Sequence, residues 1–364
     1  MQILITIPNL KDPGGVASYY NSILPYLHTS CDINIITHQI GSSHSKFSLF
    51  HSVLDQFRFI KKIIFQRFDI VHINPSLNFK SYLRDGLFTF WAKIMKKNVL
   101  VFFHGWEDYF FNNISGLLNF FFNMTYKKAD LFIVLASDFR TKLRSKGITQ
   151  PIQLMTTAVD EVLMQDFSIE TKIDHMKLSG CSRILFLSRL EKEKGFFESI
   201  DACKLLVDQG YDIYLTVAGD GPAKQEAENY LRELGLQHRF KMAGYVKGRN
   251  KQETFANHDI FCFPTNFGEG MPNAVLEAMA FGMPVVTRAV GGLKDFFENG
   301  KMGYLVETTN PEEIACGLKN LLDNEQNYYS ISEYNYNYAQ EHFMASKVAA
   351  KLYNLYEQLT PSDT

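Results

Sequence analysis

A chain of 364 residues is too long for one compact core, so its length favours two domains. Its 46% hydrophobic and 21% charged residues are typical of a globular protein. The five cysteines are scattered, which argues against a disulfide framework or a zinc site, and no apolar run reaches the roughly 20 residues that span a bilayer. The first residues resemble a strand rather than a signal peptide, so we expect a cytoplasmic location.

Strand-like apolar runs alternate with helix-like segments along the whole chain. Because short buried strands separated by helices indicate parallel sheets covered on both faces, the pattern predicts an α/β fold with two doubly wound domains. The predicted strands are residues 2–8, 33–37, 70–73, 99–103 and 131–135, then 183–188, 213–218, 240–242, 260–263 and 284–287.

The predicted domains are residues 1–165 and 180–335, followed by helices over 336–364 that return to the first domain. The polar stretch 160–181 has little periodicity and is the predicted join.

Charge is distributed unevenly between the two halves. Residues 1–160 contain 17 Lys and Arg against 10 Asp and Glu, whereas the remainder contains 20 against 29. The basic half is rich in aromatic residues, notably over 57–67, 91–97 and 110–128, and this mixture suits helices lying on an anionic membrane surface. The alternative is that Lys and Arg solvate helices whose Phe residues pack inward. We expect no nucleic acid partner, because no motif for one is present.

Two features of the first half lie at predicted strand ends. Pro13, Gly14 and Gly15 separate the first strand from the first helix, where adjacent glycines let a phosphate or sugar approach the backbone. They match neither a dinucleotide fingerprint nor a P-loop, and a plain turn is the alternative. His104 follows strand 99–103, where it could hydrogen-bond at a reacting centre or serve as a structural histidine.

Two cations follow the first strand of the second half and precede a helix. Arg189 and Lys194 are suited to a diphosphate, because Arg offers a planar fork and Lys a mobile charge beside a helix amino terminus. The alternative is that both are solvated, since Glu191 and Glu193 dilute the charge. The Gly-Asp-Gly-Pro turn at 219–222 is interpreted as a structural turn between strand and helix.

The most informative segment is the loop and helix start at 265–277. A loop rich in Gly and Pro follows strand 260–263, with Glu269 before the helix and Glu277 about one turn inside it. Amides and a carboxylate there could hold a polyhydroxylated group while the second carboxylate binds another diol. The alternative is an ordinary connection with two solvated Glu residues. Because no metal-binding or nucleophile motif occurs in the chain, we expect neither a metal nor a cofactor.

Taken in order, these segments resemble glycosyltransferase family 4, the retaining GT-B-fold enzymes of glycosyl transferases group 1 that use nucleotide-sugar donors. The resemblance covers nearly the whole chain and is strongest over 183–310. Its most specific part is the Glu-x7-Glu motif formed by Glu269 and Glu277, accompanied by Arg189, Lys194 and the turn at 219–222. The resemblance implies two Rossmann-like domains that face each other across a cleft.

The resemblance also implies a role for each matching residue. The donor-binding residues would be Gly14, Gly15, Arg189, Lys194, Val246, Gly270, Met271, Asn273 and Glu277, and the catalytic residues would be His104 and Glu269. Arg189 and Lys194 would neutralise the diphosphate, Glu277 would bind the ribose, and Val246 would lie by the base. Glu269 and the following amides would hold the sugar, with His104 near its anomeric carbon.

The activity that the resemblance implies is metal-independent, retaining transfer of a hexose from a UDP- or GDP-linked donor. The acceptor would be a glycan or a lipid-linked molecule in surface polysaccharide biosynthesis. The basic, aromatic first half is the reason to expect a lipid-linked acceptor and peripheral association with the inner face of the membrane. Two alternatives remain: a nucleotide-sugar 2-epimerase-like isomerase on the same fold, and a non-catalytic partner that binds a glycan or nucleotide.

Overall fold

The computed structural model describes residues 1–12, 14–28, 32–41, 48–178 and 180–360, and the side chains of 48–51 are not described. Pro13 and Cys31 lie outside the described residues. The chain divides into two compact units. The first comprises Met1–Ala158, Gly268–Met271 and Ala345–Thr364, and the second comprises Val159–Phe267 and Pro272–Met344.

The first unit contains a six-stranded parallel sheet in the order β2-β1-β3-β5-β7-β8, and β4 pairs with β6 separately. Its central strands consist almost entirely of fully buried Ile, Leu, Val and Phe, as a sheet covered on both faces requires. The strands are β1 (Gln2–Ile7), β2 (Asn34–Gln39), β3 (Ile70–Ile73), β4 (Ser76–Leu77), β5 (Asn98–Phe103), β6 (Gly105–Trp106), β7 (Leu131–Val134) and β8 (Ile152–Leu154).

Helices connect these strands and provide the layers on the sheet. They are α1 (Gly15–His28), α2 (Ser48–Phe65), α3 (Phe79–Ile94), α4 (Asp108–Asn112), α5 (Gly116–Met124) and α6 (Ser137–Ser145). The start of α3 illustrates the local sequence signal: the Asn78 side chain accepts a hydrogen bond of 3.0 Å from the amide of Ser81, which caps the helix.

The second unit contains a six-stranded parallel sheet in the order β11-β10-β9-β12-β13-β14. Its strands are β9 (Ser182–Leu187), β10 (Ile213–Ala218), β11 (Phe240–Gly244), β12 (Ile260–Phe263), β13 (Val285–Arg288) and β14 (Gly303–Val306). Its helices are α7 (Ile169–Leu178), α8 (Phe196–Asp208), α9 (Lys224–Glu233), α10 (Gly248–Ala256), α11 (Asn273–Ala280), α12 (Pro311–Leu322) and α13 (Glu325–His342).

All ten predicted strands are present, with ends that differ by at most two residues. The sequence did not predict the edge strands β8 and β14, which are three and four residues long, or the two-residue strands β4 and β6. In β14, Gly303 has φ +135°, and a Cβ there would lie 2.0 Å from the carbonyl oxygen of Val285. A glycine that looks like a strand breaker in sequence is therefore what lets β14 approach β13.

The predicted join at 160–181 contains α7, which belongs to the second unit. Ile169 and Ile173 are buried, and the Lys172 ammonium donates to the carbonyl oxygens of Phe255 (3.1 Å) and Phe281 (2.9 Å). These two carbonyls lie at the carboxyl-terminal ends of α10 and α11, where such groups lack partners within the helix. Burial lowers the pKa of Lys172 to about 7.

The C-terminal region contains two helices with different positions. The helix α13 lies in the second unit, where the Asn335 amide donates to the carbonyl oxygens of Met283 (2.9 Å) and Met302 (2.8 Å). The last helix, α14 (Ala345–Leu359), lies in the first unit, where the Tyr356 hydroxyl is 2.6 Å from Nδ1 of His72. Only the second of the two helices thus returns to the first unit.

Within the described ranges, no helix is both long and apolar enough to cross a membrane. The four described cysteines, Cys181, Cys203, Cys262 and Cys316, are free thiols.

Candidate active site

In the second unit, Arg189 and Lys194 follow β9 but have different surroundings. Arg189 is exposed, and its guanidinium lies 3.0 Å from the Glu191 carboxylate. Lys194 is buried, with only 5% of its surface exposed, and its ammonium lies 3.7 Å from the centroid of the Phe267 ring. The aromatic face attracts the ammonium electrostatically, so Lys194 is held under the loop that follows β12.

Backbone contacts tie the loop after β9 to the loop after β12. The Asn266 amide donates to the Glu193 carbonyl oxygen (2.8 Å), and the Thr265 hydroxyl donates to the same oxygen (3.3 Å). Gly195, which precedes α8, has φ +89°, and a Cβ there would lie 2.7 Å from the carbonyl oxygen of Pro264. Only glycine fits this close approach, which brings the start of α8 against the second loop.

The turn at 219–222 shapes the backbone beside Arg189. A Cβ at Gly219 would lie 1.8 Å from the carbonyl oxygen of Ser188, and one at Gly221 would lie 2.6 Å from that of Leu190. The Leu190 amide also donates to the carbonyl oxygen of Asp220 (3.0 Å). These contacts favour the structural interpretation of the turn: its glycines allow it to pack on the loop that carries Arg189.

Glu277 lies in α11 and is buried, with a side chain that is only 7% exposed. Its Oε1 accepts a hydrogen bond of 2.6 Å from the ammonium of Lys251 in α10. Lys251 was not predicted from the sequence, because a lysine on an ordinary helix 26 residues away carries no local signal. Val246 follows β11 and Asn273 begins α11, and both are half-buried. Pro272 precedes α11 and provides no side-chain cap for it.

In the first unit, Gly14 and Gly15 lie at the start of α1 and are exposed. No atom lies within 4 Å of a Cβ built at either position, so the backbone there is open to an approaching group.

The segment Gly268–Met271 of the Glu-x7-Glu motif lies in the first unit beside His104. A Cβ at Gly270 would lie 3.0 Å from the carbonyl oxygen of His104 and 3.1 Å from Cδ1 of Leu135. Glu269 is half-buried and Met271 is buried. The structure therefore brings the middle of the motif against the strand end that carries His104.

A hydrogen-bond network that was not predicted from the sequence orients His104. Its Nε2 lies 3.1 Å from Oδ1 of Asn74, while Nδ2 of Asn74 donates to the Thr6 carbonyl oxygen (2.8 Å). Oδ1 of Asn74 also accepts from the Tyr20 hydroxyl (2.8 Å). Asn74 directly follows β3, and a polar residue at the carboxyl end of a parallel strand is a signal that could have revealed it.

Burial lowers the pKa of His104 to about 3, so its ring is neutral at neutral pH. The ring lies against Phe102, with a centroid distance of 3.8 Å. A neutral imidazole in this setting can donate or accept a hydrogen bond, but it carries no proton to give as a strong acid.

The predicted site residues thus fall into two groups. The first unit holds Gly14, Gly15, His104, Glu269, Gly270 and Met271, and the second holds Arg189, Lys194, Val246, Asn273 and Glu277. Among the residues that the structure describes, no group of three or more His, Cys, Asp or Glu side chains is placed to hold a metal ion.

Comparison with known families identifies the segment that carries most of this geometry. Residues 171–338 match the family model of glycosyl transferases group 1. This segment belongs to the glycosyl transferases group 1 family. The match includes the loops after β9 and β12 and all of α11, so the group 1 segment contains Arg189, Lys194 and Glu277.

Curated proteins similar to this chain include some that are named for polysaccharide biosynthesis. The putative colanic acid biosynthesis glycosyltransferase WcaL of Salmonella typhimurium is 25% identical over 255 residues, which cover 68% of this chain and 60% of that protein. The capsular polysaccharide biosynthesis glycosyltransferase CapM of Staphylococcus aureus is 30% identical over 154 residues, or 42% of this chain and 39% of CapM. The chain spans 60% or less of the length of these relatives.

Solved structures match over nearly the whole chain. A glycosyltransferase from Rickettsia africae superposes with a TM-score of 0.77 at 18% identity, covering 98% of both chains. The Anabaena protein Alr3699/HepE in complex with UDP superposes with a TM-score of 0.73 at 16% identity, covering 98% of this chain and 100% of that one. At these identities the likeness shows the fold, which is GT-B as predicted.

Proposed function

We propose that the protein transfers a sugar from a nucleotide-sugar donor to a glycan or lipid-linked acceptor. The observation that carries the proposal is the junction of the two strand-end loops, where the Asn266 amide bonds to Glu193 and Phe267 covers the Lys194 ammonium. In this junction the Lys194 ammonium lies against Phe267, two residues before the Glu-x7-Glu motif, within a segment of the group 1 family. The names of WcaL and CapM, and the UDP bound to HepE, support the same activity.

Stabilisation of the leaving group is the main physical requirement of this reaction. Negative charge grows on the nucleoside diphosphate as the glycosidic bond breaks, and preorganised positive groups lower the energy of that state most effectively. Lys194 is suited to this role because it is buried and held in place. Arg189 is exposed and paired with Glu191, so it would exchange that carboxylate for the diphosphate when the donor binds. The helix amino termini of α8 and α11 would add positive potential.

The donor nucleoside would bind at Glu277 and Val246. A carboxylate that accepts hydrogen bonds from the ribose hydroxyls suits Glu277, whose position is fixed by Lys251. Val246 would contact the base, and the amides of Gly270, Met271 and Asn273 would contact the sugar. Gly14 and Gly15 offer open backbone to the phosphates.

We propose transfer with retention at the anomeric carbon and without a metal. In this mechanism the acceptor hydroxyl attacks from the face that the diphosphate leaves, and the departing phosphate takes the hydroxyl proton. His104, being neutral, would accept a hydrogen bond from the sugar rather than transfer a proton, and Glu269 would hold the sugar in position. A trapped covalent glycosyl adduct on Glu269 would contradict this mechanism.

A nucleotide panel tests donor binding first. The apparent unfolding midpoint would be measured with UDP, GDP and ADP, because a ligand present at about 100 times its dissociation constant adds about 2.7 kcal/mol of stability. We expect UDP or GDP to stabilise the protein. If none of the three does, the proposed donor site is wrong.

A product assay then distinguishes transfer from its alternatives. The protein would be incubated with UDP-glucose, UDP-N-acetylglucosamine and GDP-mannose, with and without a lipid-linked sugar as acceptor. A transferase releases UDP or GDP and forms a glycoside whose linkage shows retention or inversion. Conversion of the donor to an epimer without acceptor would indicate an isomerase, and nucleotide binding without any turnover would indicate a non-catalytic partner.

The exposed surface of the first unit supports a membrane-surface location for this reaction. On α2, Phe57 and Phe65 are 66% and 77% exposed beside the cations Lys61 and Lys62, and Leu117 on α5 is 86% exposed. Apolar groups among lysines suit the headgroup region of an anionic bilayer. We propose that these helices contact such a surface.

Vesicle sedimentation tests this location. We expect binding to vesicles of phosphatidylglycerol and phosphatidylcholine at low salt, and loss of most binding in the variant Phe57→Ser/Phe65→Ser. Val162→Ser is the control, because Val162 is equally exposed at 69% but lies in the second unit. Absence of binding by the unaltered protein would disprove the proposal while leaving glycosyl transfer untouched.

A further inference from the structure

The second unit contains a pocket of about 550 Å³ that involves none of the residues discussed above. It lies at the amino-terminal ends of β9, β10 and β11, whereas the candidate donor loops follow the carboxyl ends of the strands. Three cations, Arg183, Arg239 and Lys241, line it together with Tyr214 and His258. Among the described residues that line the pocket, none is acidic.

The register of the sheet explains why these side chains meet. Arg183 of β9 is paired with Tyr214 of β10, and Thr216, two residues further along β10, is paired with Lys241 of β11. Because alternate residues of a strand face the same side of a sheet, and paired residues of neighbouring strands share that side, these four side chains project from one face. Arg239 reaches the same face, with its guanidinium 5.5 Å from the centre of the Tyr214 ring.

The cations of the pocket are only partly neutralised. Arg239 donates to Asp212 at 2.6 Å, so its charge is paired. The guanidinium of Arg183 has one long contact, 3.5 Å to the carbonyl oxygen of Asn257. Neither Arg183 nor Lys241 forms a salt bridge with a carboxylate in the part of the chain that the structure describes. Both side chains therefore line the pocket without a carboxylate partner of their own.

Two further titratable residues, Asp259 and His258, lie beside the cations of the pocket. The Asp259 carboxylate accepts from the backbone amide of Arg183 (2.7 Å) and interacts electrostatically with that residue, but it is buried and does not line the pocket. His258 bonds through both ring nitrogens, to the Thr254 carbonyl oxygen (2.6 Å) and to the Thr216 hydroxyl (2.8 Å). It therefore forms a fixed wall of the pocket.

We propose that this pocket binds a phosphate group carried on a sugar. Arg183 and Lys241 provide the charge-assisted donors that a phosphate prefers, and the planar fork of Arg183 can bond two of its oxygens. The Tyr214 ring, 40% exposed, provides an apolar face against which the C–H face of a sugar ring can lie. The proposal does not depend on glycosyl transfer, since the pocket is at the opposite end of the sheet from the donor loops.

Calorimetric titration of the whole protein with glucose 6-phosphate tests the proposal. Inorganic phosphate and glucose are titrated separately. We expect glucose 6-phosphate to bind more tightly than inorganic phosphate, and glucose alone not to bind. Arg183→Gln and Lys241→Gln should each raise the dissociation constant about tenfold or more, because each removes a charge-assisted hydrogen bond. Tyr214→Leu should weaken the binding of glucose 6-phosphate and leave the affinity for inorganic phosphate unchanged.

The matched control is Lys204→Gln, which removes one half-buried, paired lysine from α8 of the same unit. It should leave both affinities unchanged, and unfolding midpoints without ligand show that each variant is folded. If Lys204→Gln weakens binding as much as Arg183→Gln and Lys241→Gln do, the losses reflect net charge alone, and the proposal is wrong. Binding that survives Arg183→Gln but disappears in Lys194→Gln would place the phosphate at the donor loops, and would overturn it too.

Discussion

The side chain of Asn74 fixes the ring of His104 in one tautomer. Because Nδ2 of Asn74 donates to the Thr6 carbonyl oxygen, its Oδ1 must face the histidine, and an amide oxygen can only accept. Nε2 of His104 therefore carries the proton, which leaves Nδ1 as an acceptor. In the proposed reaction this nitrogen would receive a hydrogen bond from a sugar hydroxyl, so Asn74 is a positioning residue for His104.

Replacing Asn74 should therefore lower turnover more than donor binding. In Asn74→Leu the ring of His104 loses the bond that sets its tautomer, and we expect kcat to fall about tenfold, because one hydrogen bond contributes about 1 kcal/mol and about 1.4 kcal/mol is a factor of ten in rate. Tyr20→Phe is the control, because it removes the other donor to Asn74 and leaves the bond to His104 in place. Steady-state kinetics at saturating acceptor separate kcat from KM. Equal losses in both variants would show that the network is only structural.

We expect the two glycines that flank Glu269 to respond differently to replacement by alanine. A Cβ at Gly270 would press on the His104 carbonyl oxygen at 3.0 Å, whereas one at Gly268 would meet no atom within 4 Å. Gly270→Ala should displace the loop by a few tenths of an ångström, and we expect kcat/KM to fall at least about tenfold, since displacements near 1 Å can cost about 10². Gly268→Ala should be nearly neutral in the same assay. Similar losses in both variants would point to backbone flexibility instead.

The contrast between Lys194 and Lys192 tests the leaving-group role. Lys194→Met keeps the apolar stem under Phe267 and removes the charge, and we expect a loss of about 10²–10³ in kcat/KM, as for an oxyanion-hole donor. Lys192 is two residues away but is exposed and paired with Glu226 at 2.7 Å, so Lys192→Met should change the rate little. A single-turnover assay locates the defect in the chemical step. If Lys194→Met turns over at the unaltered rate, Lys194 does not stabilise the leaving group.

The sequence predicts the fold well because its signals are local. Continuous apolar strands such as 70–73 and 260–263 are long enough to be recognised, and they appear at the same residues in the structure. The edge strands β8 and β14 were missed because two of the three residues of β8 are exposed and β14 begins at a glycine. The strand-end loops were found for a different reason: glycine, proline and charge recur where parallel strands end.

The sequence does not reveal which side chains, distant along the chain, pair with one another. Lys251 and Asn74 make contacts with Glu277 and His104 that depend on the tertiary structure alone. The sequence also does not reveal that Arg189 and Lys194 have different environments. In sequence the two residues look equally suited to bind a diphosphate. The Lys194 ammonium lies against Phe267, a residue 73 positions later.

The Lys251–Glu277 pair predicts coupled effects on donor binding. Both side chains are largely buried, and removing one partner leaves the other charge without compensation. Lys251→Met and Glu277→Gln should each raise the dissociation constant for the donor nucleotide. In the double variant the dissociation constant should rise by less than the product of the two single increases. The Arg249–Glu253 pair, exposed on the same helix, is the control. Independent effects of the two replacements would show that Lys251 does not hold Glu277 for the donor.

Buried histidines predict a loss of stability in mild acid. Burial lowers the pKa of His38 to about 4, and its ring is only 2% exposed, between the rings of Phe59 and Phe88. The folded pKa lies below the unfolded value of about 6.5, so below that pH the unfolded state binds more protons. Stability from this group is complete above about pH 6.5 and decreases as the pH falls towards 4.

His38→Leu should reduce this acid sensitivity, since leucine fills a similar volume and takes up no proton. Between pH 7 and pH 5 the unaltered protein should lose about 2 kcal/mol more stability than the variant, the cost of one proton bound only by the unfolded chain. Urea unfolding of each protein at both pH values measures the difference. Comparing each protein with itself cancels any packing change caused by the substitution. If both lose the same stability on acidification, then His38 is not the group that titrates.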